Sequence, residues 1–456
     1  MPFEEVQAIF QTQSLCPECL KRIPAIRLAR ENDLFMKKTC PDHGEFEVLL
    51  WRGNPSYREW GSPKIPSHPE RSVTKVVQGC PFDCGLCPDH RQQTCTALLE
   101  VTRRCNLRCA FCFADANKLS SPDPDMKTIK HWYEALLVNA KPCNVQLSGG
   151  EPTLRDDLPE IIALGRSMGF GFIQVNTNGL RLGNDPAYAT RLKAAGLASV
   201  FLQFDGVRED IYLKLRGAAC LKSKLAAIET CRQLGIGVAL VPTVVRGVND
   251  NELGSIVKFA LKNLDVVRGV HVQPVSFFGR YPANPTDIER ITIPEIIRKL
   301  EAQTGGLLKI EDFKPPGCEN ALCSFNGSFV LMPDSSVIAL TNHKSLGCTR
   351  RSPENAAEGA SKSRKFVAQN WSGRKSKPPS DSKSDFSMGH WDILFERAST
   401  HNLCISGMAF QDVWNIDLDR LRDCCIHVMS PDGRLIPFCA YNVTSANGRS
   451  LYGRGL

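Results

Sequence analysis

The sequence predicts an α/β protein with a parallel sheet at its centre and cysteine-rich segments at both ends. Three observations carry that expectation. Between residues 97 and 305, six short apolar, β-rich runs alternate with helical segments, the pattern of βαβ units. Twenty cysteines fall in clusters before, inside and after that region. At 456 residues the chain is too long for one small core, so two or three domains are expected.

Composition narrows the class. The chain is 42% hydrophobic and 23% charged, which is ordinarily globular. Its net charge of +8 is mild and concentrated in one segment, so no nucleic-acid surface is expected. The start MPFEEVQAIFQTQ is acidic and polar and has no signal-peptide apolar core. Clustered cysteines in such a chain read as metal sites rather than disulfides, and a cytoplasmic location is expected. No apolar run reaches about 18 residues, so no transmembrane helix is expected. A lipid substrate would have to be met from the cytosol or at the membrane surface.

Residues 1–95 form a cysteine-rich head. Cys16-Pro-Glu-Cys19 is a metal knuckle, and Cys40-Pro-Asp-His43 follows. The spacing is zinc-finger-like, and a mononuclear iron of rubredoxin type would also fit. His43 or a later cysteine could supply the fourth ligand. The intervening IPAIRLARENDLFMKKT alternates like a hairpin, which would bring the two knuckles together. After a proline- and aromatic-rich connector over 55–69 comes Cys80-Pro-Phe-Asp-Cys84-Gly-Leu-Cys87, then Cys95. Three thiols at spacings of four and three suggest an iron–sulfur cluster, with Cys95 the nearest candidate for a fourth ligand.

The βα region follows. Strands are expected over 97–102, 143–148, 171–176, 198–204, 237–244 and 268–275. Helices are expected over 126–140, 156–168, 186–195, 208–234 (broken near Gly217), 250–263 and 293–303. In parallel βα barrels the chemistry sits on loops leaving the C-terminal ends of strands. The unusual residues fall there. The first strand leads to Cys105-Asn-Leu-Arg-Cys109-Ala-Phe111-Cys112, again with spacings of four and three. Four thiolates usually hold a cubane. Three with no fourth nearby leave one iron open to a ligand that is not protein, whereas a zinc site usually shows paired Cys-x2-Cys knuckles.

The second strand ends in Gly149-Gly150-Glu151-Pro152, where glycines let backbone approach a ligand closely. The third ends in Asn176-Thr177-Asn178, the fourth in Gln203-Phe-Asp205, the fifth near Arg246 and the sixth at His271 and Gln273. Taken singly, each has a plain structural explanation: a turn, a helix cap or a surface charge. Their shared position, one βα unit apart, argues for one site. Cys143, Cys220 and Cys231 lie inside expected elements and read as buried free thiols.

Beyond 305 the alternation stops. Cys318, Cys323, Cys348, Cys404, Cys424, Cys425 and Cys439 exceed the needs of one cluster. An auxiliary cluster on Cys318, Cys323, Cys425 and Cys439 is the expected arrangement. Residues 350–388, rich in Ser, Lys, Arg and Pro, read as a mobile linker, with a basic binding arm as the sharper alternative.

The Cys105 loop and the Gly149–Pro152 motif resemble those of radical S-adenosylmethionine (SAM) enzymes. The ordered runs CPECLKRIPA, CPDHGEFE, GCPFDCGLCPDH and CIHVMSPDGRLIPFCAYN are similar to one subfamily. It holds class D radical methyltransferases acting on a dihydro-hydroxymethylpterin and archaeal tetraether lipid synthases. The resemblance implies a partial (β/α)6 barrel over 96–305, a head over 1–95 and an auxiliary-cluster domain over 306–456. It implies a [4Fe–4S] cluster on Cys105, Cys109 and Cys112, the residues that carry the catalysis, with SAM held by Phe111 and the strand-end residues Gly149, Gly150, Glu151, Pro152, Asn176, Thr177, Asn178, Gln203, Asp205, Arg246 and Gln273. One or two auxiliary [4Fe–4S] clusters and a reductant such as flavodoxin or ferredoxin follow.

The implied chemistry is reductive cleavage of SAM to a 5′-deoxyadenosyl radical, hydrogen abstraction from an unactivated carbon and formation of a carbon–carbon bond. C-methylation of a pterin-like heteroaromatic, with a methylene carrier such as methylenetetrahydrofolate, is favoured over coupling of lipid tails. A non-catalytic iron–sulfur carrier or metal scaffold is the reading from another class, and failure to bind SAM would favour it. Tyr441, His427 and His271 are weak candidates for a proton or hydrogen donor.

Overall fold

The structure, a computed structural model, describes residues 7–61, 64–117, 122–140, 143–343, 354–373 and 390–452. Six strands form the parallel centre: Thr96–Thr102, Asn144–Gly149, Ile173–Thr177, Ser199–Gln203, Gly237–Val241 and Val267–Pro274. They lie side by side in chain order. All are within a few residues of the spans expected from their apolar runs. The last five are buried along almost their whole length, as parallel strands with both faces covered must be.

The crossover helices also follow the sequence pattern. Met126–Asn139 starts at Asp125, whose carboxylate accepts the Thr128 N–H at 2.8 Å. The expected break at Gly217 is real. Glu209–Arg216 ends there with Gly217 at φ 71°, and a second helix runs Leu221–Gln233. Ile293–Thr304 opens with a reciprocal cap between Thr292 and Glu295.

The sheet does not stop at residue 305. Asn402–Met408 pairs in parallel with the last barrel strand, and Ser324–Leu331 and Val337–Ala339 continue that edge antiparallel. At the other edge Ile426–Met429 pairs in parallel with Thr96–Thr102, and Leu435–Pro437 folds back on it across a turn at Gly433. The tail therefore extends both edges of the partial barrel.

The segment expected to be a linker differs from that reading. Ala356–Trp371 is a helix capped by Asn355. Its Gly359 lies where a Cβ would meet the Gly317 carbonyl at 2.1 Å, and Trp371 stacks on Phe201 of the barrel wall. The helix closes the barrel near the N-terminal ends of its strands. Residues 344–353 and 374–389, including Cys348 and most of the basic run, lie outside the described residues.

The head is a four-stranded antiparallel sheet: Gln7–Leu15, Arg22–Arg30, Asp33–Cys40 and Gly44–Trp51. The expected hairpin is its central pair. The sheet is bolted to the tail. Lys38 is 2% exposed, and its Nζ donates to Ser14 Oγ, the Leu15 carbonyl and the Val413 carbonyl at 2.8–3.0 Å. Asp417, fully buried, accepts from Thr12 and Arg27. Buried charges persist only when partnered this way.

Candidate active site and metal centres

One cavity of about 760 Å³ runs through the barrel. At the C-terminal ends of the strands it is lined by Cys105, Cys109, Phe111 and Cys112, with Gly149, Gly150, Glu151, Asn176, Thr177, Asn178, Gln203 and Gln273. These are most of the strand-end residues the sequence singles out. At the other end it reaches Cys95, Cys318 and Cys425. Between the two ends the wall is polar in places: Gln146 donates to Gln174, which donates to Ser199.

The cysteine loop is held by backbone. Gly150 and Glu151 donate their N–H groups to the Thr102 and Arg104 carbonyls, both at 2.8 Å. A Cβ on Gly149 would sit 2.1 Å from the Thr102 carbonyl oxygen, and one on Gly150 2.2 Å from that of Arg104. The close approach that these glycines permit is thus to the cysteine loop itself, as well as to the cavity. Cys105 N donates to Asn117, and Arg280 reaches the Cys109 carbonyl.

Glu151 ties the next loop in. One carboxylate oxygen accepts from Thr153 and Thr177 hydroxyls, both at 2.6 Å, and the other accepts the Asn178 N–H at 2.7 Å. Asn178 Nδ2 in turn donates to Asn106 of the cysteine loop.

Three residues that the resemblance puts on SAM turn away. Asp205 is fully buried behind the wall, in a bidentate pair with Arg216 at 2.6 and 2.8 Å, and does not line the cavity. Its carboxylate balances a guanidinium that would be too costly to bury alone. Arg246 reaches the Arg290 carbonyl and Glu295 on the outer side. Pro152 begins a short 3-10 turn and is buried away from the cavity.

Arg216, which sequence reasoning missed, does line the cavity and has the Cys109 thiol among its neighbours. Lys224 was missed too. Fully buried, it donates to Asn178 and Gln203 carbonyls and to Gln203 Oε1 at 2.7–2.8 Å, tying the third and fourth strand ends together. Burial pulls its ammonium down to about 8. An expected helix interior with a polar face at 216 and 224, one helix on from Asp205, was the available signal.

The thiol chemistry fits an iron–sulfur site. Cys105, Cys109 and Cys112 are partly exposed to the cavity. Burial pushes the Cys105 thiol up to about 12, with Glu151 and the other two thiols adding to the rise.

In the head, Cys16, Cys19, Cys40 and His43 bring their ligand atoms within 4.8 Å of one another. The His43 Nδ1 is 3.6 Å from Cys16 Sγ and 3.5 Å from Cys40 Sγ. That is the spacing of a single tetrahedral ion with ligand bonds of about 2.0–2.3 Å.

The other cysteines assemble differently from expectation. Cys95 is not grouped with Cys80, Cys84 and Cys87. Its sulfur lies within 4.8 Å of those of Cys318 and Cys425. The reason is topological: Cys95 directly precedes the first barrel strand, and Cys425 directly precedes the tail strand paired beside it. Cys323 and Cys439, expected with them, stand apart. Cys323 accepts from Arg420 at 3.3 Å, and Cys439 shares a buried cluster with Cys80 and Cys84. Cys143, Cys220 and Cys231 are buried free thiols.

Residues 99–260 match the radical SAM superfamily, and residues 8–52 match the HMPTM N-terminal zinc ribbon domain. The chain is 39% identical to 7,8-dihydro-6-hydroxymethylpterin dimethyltransferase of Methanocaldococcus jannaschii, over 95% of this chain and 93% of that protein. The chain belongs to that family within the radical SAM superfamily. It is therefore a radical SAM enzyme, with SAM and iron–sulfur as its cofactors. A probable GTP 3′,8-cyclase of Methanothermobacter marburgensis is 29% identical over 44% of the chain and 67% of its own length. Among solved structures, Streptococcus suis SuiB bound to S-adenosylmethionine aligns at TM-score 0.39 and 16% identity, over 47% of each chain. No helix among the described residues is long and apolar enough to cross a membrane.

Proposed function

We propose that this radical SAM enzyme C-methylates a pterin-like heteroaromatic, with Cys105, Cys109 and Cys112 holding the cluster that receives SAM. The observation that carries the reading is the near-full-length relationship to a pterin dimethyltransferase, head and tail included. A cluster held by these three thiols would supply the electron for reductive cleavage of SAM.

The chain's own residues do the rest. Gly149 and Gly150 fix the cysteine loop against the second strand, Glu151 fixes the third strand's end to it, and Phe111, Asn176, Gln203 and Gln273 face the cosubstrate space. The cavity volume of about 760 Å³ is that of a small-molecule and cofactor site. That favours a heteroaromatic over a pair of lipid tails. Gln146 and Gln174, which line the cavity, offer side-chain amides to a ring bearing nitrogens. A methylene carrier such as methylenetetrahydrofolate supplies the carbon, and a cytoplasmic flavodoxin or ferredoxin the electrons. The chain works as a head over 1–95, a barrel over 96–305 and a tail over 306–456, with the tail strands extending the barrel sheet.

The test is anaerobic. Protein reconstituted with iron and sulfide is given dithionite, SAM, methylenetetrahydrofolate and 7,8-dihydro-6-hydroxymethylpterin. Mass spectrometry is expected to find 5′-deoxyadenosine and a methylated pterin, and neither with Cys109→Ala. Deoxyadenosine with an archaeal lipid but not with the pterin would overturn the substrate class. No deoxyadenosine with any substrate, from protein with full clusters, would overturn the assignment of the loop.

A further inference from the structure

At the far end of the cavity from the Cys105 loop, Cys95, Cys318 and Cys425 converge, with sulfurs within 4.8 Å of one another and Cys318 and Cys425 at 3.4 Å. All three are buried, yet all three line the cavity. A carboxylate stands beside two of them. Glu319 Oε2 lies 2.6 Å from Cys318 Sγ and 3.6 Å from Cys425 Sγ.

The carboxylate is held for that position. Its other oxygen accepts from the Ser324 hydroxyl, and the backbone on either side is pinned by Gln92 donating to the Cys318 carbonyl and Lys64 to the Glu319 carbonyl. Glu319 is 8% exposed. A buried carboxyl without a cation beside it is costly unless it binds a metal or stays neutral. The nearby cation, the Lys64 ammonium, bonds the Glu319 backbone carbonyl and only partly offsets the burial of the carboxyl.

We propose that Cys95, Cys318, Cys425 and the Glu319 carboxylate form a mixed sulfur–oxygen iron centre, in which Glu319 rather than a fourth cysteine completes the coordination. Ser324 acts on the metal through Glu319: it orients the carboxylate by occupying the oxygen that does not face the thiols. Metal ligands are commonly oriented in this way by a second hydrogen bond. The competing explanation is a simple thiol–carboxylate hydrogen bond in a metal-free pocket.

The inference does not depend on the substrate assigned above, and its test needs no turnover. The parent is the full chain with Cys105, Cys109 and Cys112 replaced by alanine, reconstituted anaerobically, so that the loop cluster is absent and the other centres remain. Iron and sulfide are counted, and the dithionite-reduced protein is examined by electron paramagnetic resonance. Cys318→Ala in this parent is expected to remove one centre's iron and its signal. The sulfide lost with that iron distinguishes a cluster from a single ion, either of which supports the proposal. Glu319→Cys is expected to keep the iron and move the signal to that of an all-thiolate site. Ser324→Ala, which leaves all four ligands in place, is expected to shift the same signal by less.

Unchanged iron in Cys318→Ala would overturn the centre. An unchanged signal in both Glu319→Cys and Ser324→Ala would overturn Glu319 as its ligand. If Glu319→Cys does not fold, the Ser324→Ala spectrum decides alone.

Discussion

Two sets of three cysteines face one cavity and are built in opposite ways. Cys105, Cys109 and Cys112 come from eight consecutive residues at the C-terminal ends of the barrel strands. Cys95, Cys318 and Cys425 come from three segments, and meet because the strands after Cys95 and Cys425 pair side by side. Their electrostatic surroundings are opposite as well. The loop set has the Arg216 guanidinium beside Cys109, whereas the distal set has the Glu319 carboxylate beside Cys318. A cation next to thiolates favours the added negative charge of a reduced cluster, and a carboxylate opposes it. In the function proposed above, the loop end is the one that accepts an electron and passes it to SAM. A metal held at the distal end, as proposed above, would be the less easily reduced of the two.

The same contrast explains what could be read from the chain. The loop set, the strand-end motifs and the head knuckles are local, so spacing alone exposes them. All six strands and the break at Gly217 followed from apolar runs and one glycine. The distal set was hidden because no local spacing joins residue 95 to 318 and 425, and Cys95 lies nearer in sequence to Cys87. The helix Ala356–Trp371 was hidden for another reason. Over its first two turns the buried residues are Ala356, Gly359 and Ala360, small side chains that stand out little from the Ser- and Lys-rich run around them, and the large buried anchor, Trp371, comes only at its end. Asp205 and Arg246 stand at the right strand ends, but a strand's last residues alternate between the two faces, and ion pairs with Arg216 and Glu295 hold these two on the outside.

The sharpest way to break the contrast is to remove the cation of the loop end. Arg216→Ala leaves the fully buried Asp205 carboxylate without its guanidinium partner. Breaking a buried pair from one side costs about 3–5 kcal/mol, so the urea midpoint is expected to fall accordingly, with Arg216→Lys in between. A loss under about 1 kcal/mol would mean that water reaches the pair and that Arg216 is not a desolvated neighbour of the loop thiols.

Gly150→Ala probes the loop without touching a charge. Its Cβ would meet the Arg104 carbonyl at 2.2 Å, so the cysteine loop must shift away from the second strand. Misplacement of a reacting group by about 1 Å costs on the order of 10²-fold in rate, or about 2.7 kcal/mol. Deoxyadenosine formation should fall by that factor while the signal of the distal centre stays as it was. Equal damage to both centres would show that the two ends are not independent.

The smallest effect belongs to the wall between them. His271 stands midway along the cavity, with Nδ1 2.9 Å from Ser406 Oγ and its ring against Phe201 and Trp371. Burial pulls its imidazole down to about 4 from the usual 6.5. Below pH 6.5 the unfolded chain takes up a proton that the folded chain refuses, so folding stability falls as pH drops from about 6.5 toward 4. Above that window the group contributes no pH dependence. At pH 5 the loss from this one group is up to about 2 kcal/mol. His271→Gln keeps a hydrogen-bonding partner for Ser406 and cannot titrate. Acid also protonates the thiolates of every metal centre, but that loss is common to both proteins, so the difference between their urea midpoints at pH 7 and pH 5 isolates the imidazole. Wild type should lose more than the variant over that interval. Parallel losses would mean that His271 takes up its proton as readily in the folded barrel as in the unfolded chain, and that the cavity between the two thiol sets is wetter than its lining implies.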